Sequence, residues 1–348
     1  MTEETMTSMQ RVLTTLGHQE PDRVPFFLLV TMHGARELGL SIREYFSRAA
    51  TVAEGQLRMR AKYGHDCLYG FFYAPVEVEA WGGEVIYSDD GPPNSGEPFL
   101  SRADRIPGLK PPEIGKTPCL VKVLQAIELM KGRSGEDCPI IGVVMSPFSL
   151  PVMQMGFAAY LDLMMERPDL FGKLMKVNEE FTVAWANAQL AAGATAICYF
   201  DPLSSPTMVS REQFLGTGYA VAGRVLARIK GPVATHLASG RVLPIIDDII
   251  RTGAAMAGVS CVENLSRIKA ACKGKITVLG NLNGIEMRGW RAEETEAKVK
   301  EAIIQGGSGG GFILSDNHGE IPWQVPEETL LAIGEAVHRF GAYPLQEA

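Results

Sequence analysis

Leu314-Ser315-Asp316-Asn317-His318, set beside Phe200-Asp201-Pro202, Thr235-His236-Leu237 and Gly280-Asn281, decides the fold, because in each a short apolar run ends in polar or turn-forming residues. Eight such runs recur along the 348 residues, at Val24–Val30, Cys67–Phe72, Pro139–Met145, Ala194–Asp201, Pro232–Ala238, Ala254–Cys261, Ile276–Asn281 and Gly311–Ser315. Their length suits buried strands. Between them lie stretches of helical period, Ala158–Ala192, Ser210–Lys230, Arg241–Thr252, Ala292–Gln305 and Pro326–Phe340, and Ser210-x-x-Gln213 has the form of a capping box. Strands alternating with helices make a parallel sheet. At roughly 43 residues per unit they predict an α/β fold, one (β/α)8 TIM barrel over residues 1–348 with an N-terminal helical extension. No Gly-x-Gly-x-x-Gly follows the first run, which argues against a dinucleotide-binding sheet. The Gly-, Pro- and Asp-rich stretch Tyr87–Lys116 reads as a small excursion over one barrel mouth.

Composition narrows the function classes. Hydrophobic residues at 46% and charged residues at 21% belong to a globular chain with a large core, not to a disordered or low-complexity one. Asp and Glu outnumber Lys and Arg by 40 to 33, and the net charge of −7 speaks against nucleic acid as a partner. The N-terminal stretch Met1–Ser8 is polar and no apolar run reaches membrane-spanning length, so the expectation is a soluble, cytoplasmic protein without a membrane partner. Six cysteines are scattered with no Cys-x-x-Cys pair, the pattern of reduced thiols.

In a barrel the loops after the strands build the active site. Asp201, His236, Asn281 and the Asp316-Asn317-His318 segment all stand at such strand ends and are predicted to converge on one mouth. A lone histidine in an apolar strand such as that of His236 is ordinarily a hydrogen-bonded core residue. His318 at an analogous end adds a competing reading, in which two imidazoles share a metal or act as acid and base. Asp201-Pro202 is either a turn opener or a functional carboxylate. Glu77 and Glu79 alternate with apolar residues and so fall on one face of a strand, solvated or contacting substrate. The glycine run Gly306–Gly311 precedes its strand, which makes it a turn at the opposite mouth and not a phosphate cradle.

From Arg11-Val-Leu-Thr-Thr-Leu and Asp22-Arg-Val-Pro through Phe200-Asp-Pro-Leu-Ser-Ser to Gly310-Gly-Phe-Ile-Leu-Ser-Asp-Asn-His-Gly-Glu-Ile-Pro, the chain resembles the uroporphyrinogen decarboxylase superfamily, and within it the methylcobamide methyltransferase branch. The resemblance implies a (β/α)8 barrel. The decarboxylases carry an arginine-rich stretch after the first strand, an aspartate after the second and a tyrosine after the third. Here the matching stretches are Leu29-Val-Thr-Met-His-Gly34, Phe72-Tyr73-Ala74 and Pro147–Met153, with Tyr73 at the aspartate position and Met153 at the tyrosine position. An octacarboxylate needs cations and its decarboxylation needs an acid, so porphyrinogen is disfavoured.

The methyltransferase branch carries a zinc site, His-x-Cys after the fifth strand and Cys after the eighth, which activates a thiol. This chain keeps His236 but has Ala238 and His318 at the two cysteine positions. His236 and His318 could still hold zinc with a third ligand such as Asp201, Asp316 or Cys261; otherwise they serve proton transfer or substrate binding. The resemblance therefore implies a corrinoid-linked methyltransferase. Its methylcobalamin or other corrinoid sits on a partner protein docked at acidic mouth loops. In this reading His236, His318 and Asp201 are catalytic, Tyr73, Glu77, Asn281, Asp316 and Asn317 contact a small-molecule substrate, and the chain is a monomer or homodimer. The alternatives are a decarboxylase or lyase for a smaller carboxylated substrate, and a non-catalytic corrinoid or small-molecule binder.

Overall fold

A computed structural model describes residues 5–345; positions 1–4 and 346–348, at the two ends of the expected 1–348 unit, lie outside the described residues. Seven strands form one parallel sheet in chain order: β1 (Leu68–Tyr69), β2 (Ile140–Met145), β3 (Ala196–Phe200), β4 (Val233–His236), β5 (Met256–Gly258), β6 (Thr277–Leu282) and β7 (Phe312–Asp316). The eighth stave is the extended run Val24–Val30. Its Phe26 bridges Leu314 of β7 in parallel, Phe27 N–H donates to the Leu314 carbonyl, and on the other side Asp66 N–H donates to the Phe26 carbonyl. Those bonds close the sheet into the (β/α)8 barrel.

The two-residue period of the staves sorts their side chains. Phe27, Leu29, Cys67, Tyr69, Val143, Cys198, Met256, Leu279 and Ile313 form an inner cluster that fills the barrel, and Val12 of the helix Ser8–Leu16 joins it. Their alternate neighbours, including Phe26, Leu28, Leu68, Val144, Tyr199 and Leu314, pack outward among the helices. Gln189 of the helix Pro168–Ala191 fastens that helix to β2, accepting from Val143 N–H at 3.0 Å and donating to its carbonyl at 2.9 Å.

Two expected helices are broken. Ala158–Ala192 is two helices, Phe157–Glu166 and Pro168–Ala191, because Pro168 forces Arg167 out of the helical region to φ −131°, ψ 63°. Ser210–Lys230 opens with the expected box, Ser210 accepting from Gln213 N–H, but breaks at Thr217, between Gly216 and Gly218. Glu77 and Glu79 lie on a short helix, Val76–Ala80, and not on a strand: Pro75 sets its start and Trp81-Gly82-Gly83 ends it.

The Tyr87–Lys116 excursion crosses the C-terminal mouth as expected. Leu100 N–H donates to the Gln154 carbonyl after β2, and the Gln324 amide, beyond β7, donates to the Asp90 carbonyl at 2.6 Å. At the opposite mouth, Asp66 takes Arg11 Nη1 at 2.7 Å, Arg23 Nη1 at 2.6 Å, Ser8 Oγ at 2.8 Å and Phe26 N–H at 3.0 Å. Arg11 also grips Asp22 through Nε at 2.6 Å. The Asp22-Arg-Val-Pro motif thus holds the helix Ser8–Leu16 under the barrel.

Candidate active site

Strand parity turns His236 inward. His236 shares the inward parity of Ala234, and its buried ring stacks on the inward Phe200 with centroids 5.5 Å apart. Gly258 makes the space: a β-carbon there would lie 2.3 Å from His236 Cδ2. Beyond β4 the chain turns through Ala238, at φ 50°, whose N–H donates to His236 Nδ1 at 3.1 Å. Burial, followed by the charge of nearby His318, holds the imidazole pKa down at about 4, so the ring is neutral.

The segment after β7 folds over this histidine. Asp316 Oδ2 accepts from His318 N–H at 2.7 Å and Gly319 N–H at 3.0 Å, while Tyr69 of β1 donates to the Gly319 carbonyl at 3.0 Å. Gly319, at φ 85°, sits so close that a β-carbon would fall 3.4 Å from His236 Cε1 and 2.9 Å from the Phe200 ring. Four polar atoms here are buried and lack a hydrogen-bond partner among the described residues: His236 Nε2, Asp316 Oδ1, Asn317 Oδ1 and His318 Nδ1. Native structures leave few such atoms unpaired, so this cluster is built to meet a ligand or solvent. Burial raises the Asp316 pKa to about 6 and that of Glu320, which Thr31 Oγ1 contacts, to about 7. Burial also lowers the His318 pKa.

Leu237 and Ala238, the two residues that follow His236, help line a cavity of about 500 Å³ whose wall is mainly Met145, Val152, Met153, Phe157, Leu203 and Met208. Its lining includes no lysine or arginine.

The remaining predicted residues stand apart. Asp201 has the outward parity of Tyr199; its carboxylate is buried and accepts from Ser146 and Ser204 at 2.5 Å and Ser149 at 2.6 Å, tying together the loops after β2 and β3. Burial raises its pKa against those three hydroxyls. Tyr73 lies among Phe46, Phe72 and Tyr87, with its hydroxyl donating to Glu79 at 2.6 Å. Glu77 is buried against β2, Oε1 accepting from Met145 N–H at 2.8 Å, and burial lifts its pKa to about 8. Asn281 donates to the Ser260 carbonyl at 3.0 Å and borders a separate polar cavity of about 270 Å³ with Cys261 and Glu263. Asn317, by contrast, joins the mouth cluster, its amide N–H held 3.3 Å from Cys261 Sγ.

The donor set does not fit zinc. Ala238 offers no ligand atom, and among the described residues no three His, Cys, Asp or Glu side chains converge to hold a metal ion. Asp201 is engaged by three serines, and Cys261 Sγ by the Asn317 amide. Sequence reading missed Glu320, Gly258, Tyr69 and the three serines.

Residues 7–340 match the profile of the family described as Uroporphyrinogen decarboxylase (URO-D). The chain belongs to the uroporphyrinogen decarboxylase family. It is 26% identical over 336 residues to the methylcobamide:CoM methyltransferase MtaA of Methanosarcina barkeri, covering 93% of this chain and 95% of that one. It is 24% identical over 359 residues to the uroporphyrinogen decarboxylase of Idiomarina loihiensis, covering 95% of each. Among solved structures, a methyltransferase from Methanosarcina mazei superposes with a TM-score of 0.87 at 21% identity, over 96% of this chain and 99% of that one, and so shares the fold. The family membership leaves the reaction to be argued from the mouth.

Proposed function

We propose that this uroporphyrinogen decarboxylase family member is a corrinoid-linked methyltransferase, which moves a methyl group between a separate corrinoid protein and a small molecule held at the barrel mouth. The observation that carries the reading is the pairing of a cation-free apolar cavity with a compact cluster of unpaired polar atoms. A substrate with many carboxylates needs arginines or lysines to neutralise it, and the lining has none. A molecule with an apolar body and one polar end fits both halves. The similarity to a protein named methylcobamide:CoM methyltransferase supports the same chemistry.

The corrinoid would supply the cobalt that exchanges the methyl group. This chain's residues do the positioning: His236, Asp316 and Asn317 meet the polar end, and Met145, Met153 and Leu203 enclose the body. Asp201 acts one step removed, through Ser146, Ser149 and Ser204, by fixing the loops that carry the cavity wall. Four exposed apolar residues, Phe157, Met208, Val262 and Ile285, follow β2, β3, β5 and β6 and so ring the same mouth. Such a rim suits a docking protein. The test is spectral conversion between cob(I)alamin and methylcobalamin when the full chain is supplied with methylated donors or acceptors. Conversion supports the proposal; carbon dioxide release from a carboxylated substrate, without conversion, supports the decarboxylase alternative.

A further inference from the structure

A neutral imidazole carries one N–H, and the nitrogen that accepts a hydrogen bond cannot be the one that holds it. His236 Nδ1 accepts from the Ala238 backbone N–H, which lies 3.1 Å away. The hydrogen is therefore on Nε2, a buried atom without a partner among the described residues. A histidine that binds zinc has the reverse arrangement: it presents a lone pair to the metal and donates its other N–H to a second group. In this chain the ring nitrogen that is not already engaged has no lone pair to give. The ring cannot swivel to correct this, because Phe200 stacks on one face and Gly258 and Gly319 press on its edges.

We infer that His236 is a fixed Nε2–H hydrogen-bond donor in a metal-free site, and that the ligand it selects is a neutral oxygen compound, an ether or hydroxyl, with its apolar body in the adjoining methionine-lined cavity. The ligand assignment rests on the proposed methyltransferase reading; the tautomer does not. A thiol is a poor partner for this site, since sulfur accepts hydrogen bonds weakly and no metal is held that could make it a thiolate. An oxygen accepts from Nε2–H, and a hydroxyl on the same molecule can donate to Asp316 Oδ1 or Asn317 Oδ1, both buried and unpaired in the segment after β7. The change of the resembled cysteine to Ala238 serves two ends here: it removes a metal ligand and it supplies apolar cavity wall.

Long-range 1H–15N correlation spectra of the full chain labelled at histidine nitrogen, assigned by the loss of signals in H236F, read the tautomer directly. The expected result is an Nε2–H ring whose proton resonance moves when 2-methoxyphenol is added. Calorimetric binding of 2-methoxyphenol should fall at least tenfold in H236F and stay within a fewfold of wild type in H236Q, whose amide N–H can stand where Nε2–H does. Zinc analysis after dialysis should give far less than one metal per chain, unchanged in either variant. One zinc per chain that is lost in both H236F and H236Q, or an Nδ1–H ring, overturns the donor assignment. Absence of 2-methoxyphenol binding in a protein with the expected tautomer overturns the ligand class. Failure of methyl transfer with 2-methoxyphenol bound overturns the methyltransferase reading alone.

Discussion

His236 owes its placement to two neighbours that are small for different reasons. Gly258 leaves room for the ring, and Ala238 turns back to fix its tautomer. Gly258→Ala is expected to push the imidazole out of the mouth, lowering ligand binding by tenfold or more while the circular dichroism spectrum stays that of the folded barrel. Ala238→Gly should leave the fold intact and raise stability by up to about 1 kcal/mol, since an L-residue at positive φ carries a cost of roughly that size; thermal melts measure it. Glu77 offers a pH-dependent case. Burial holds its carboxyl neutral up to about pH 8, so the folded state binds the proton more tightly than the unfolded one, and stability declines as pH rises from the ordinary value of 4.5 towards 8. Glu77→Gln removes that decline: chemical denaturation should show little change near pH 5 and a gain approaching roughly 5 kcal/mol near pH 9, at about 1.4 kcal/mol per unit. At this scale the sequence shows that His236 and His318 stand at strand ends. It does not show that Ala238 bonds back to the ring, because that bond depends on how the backbone turns between His236 and Ala238, which no residue-type rule sets.

Among the elements, parity separates the residues that share a strand end. Phe200 points inward and Asp201 outward, so the carboxylate expected at the mouth serves the loops behind it. Counting two by two from Cys198 would have revealed this within the sequence; the strand end alone does not. The broken helices have the same kind of cause, since Arg167-Pro168 and Gly216-Thr217-Gly218 carry breaking signals inside otherwise helical periods. Asp201→Ala leaves three buried hydroxyls without their acceptor, and at about 1 kcal/mol or more each a loss of roughly 2–4 kcal/mol is expected, read by urea denaturation. At the far mouth, Asp66 is held below its ordinary pKa of 3.8: burial alone would raise it, but the guanidinium groups of Arg23 and Arg11 prevail. Its stabilisation is full above that ordinary value and is lost as pH falls through the lower folded value. Asp66→Asn should cost about 3–5 kcal/mol at pH 7, by removing the buried carboxylate that Arg11 and Arg23 share, and should blunt the acid side of the stability profile.

For the molecule as a whole, eight apolar runs sufficed to establish the barrel, since each strand is short, buried and followed by a helix. The first of them is a stave held by one bridge and a few hydrogen bonds to β7 and Asp66, yet its apolar run is as clear as that of the longer strands. What the runs could not convey is how the mouth divides into a polar cluster and an apolar cavity, because loops after four strands, β2, β3, β4 and β7, contribute to it. That division is the basis of the account. The most direct test is to mix the full chain with cob(I)alamin and 2-methoxyphenol, in the presence of a zinc chelator, and follow the absorption spectrum. The account predicts conversion to methylcobalamin that persists with chelator and is lost in H236F. No conversion with any oxygen, nitrogen or sulfur methyl donor, or conversion abolished by the chelator, would contradict it.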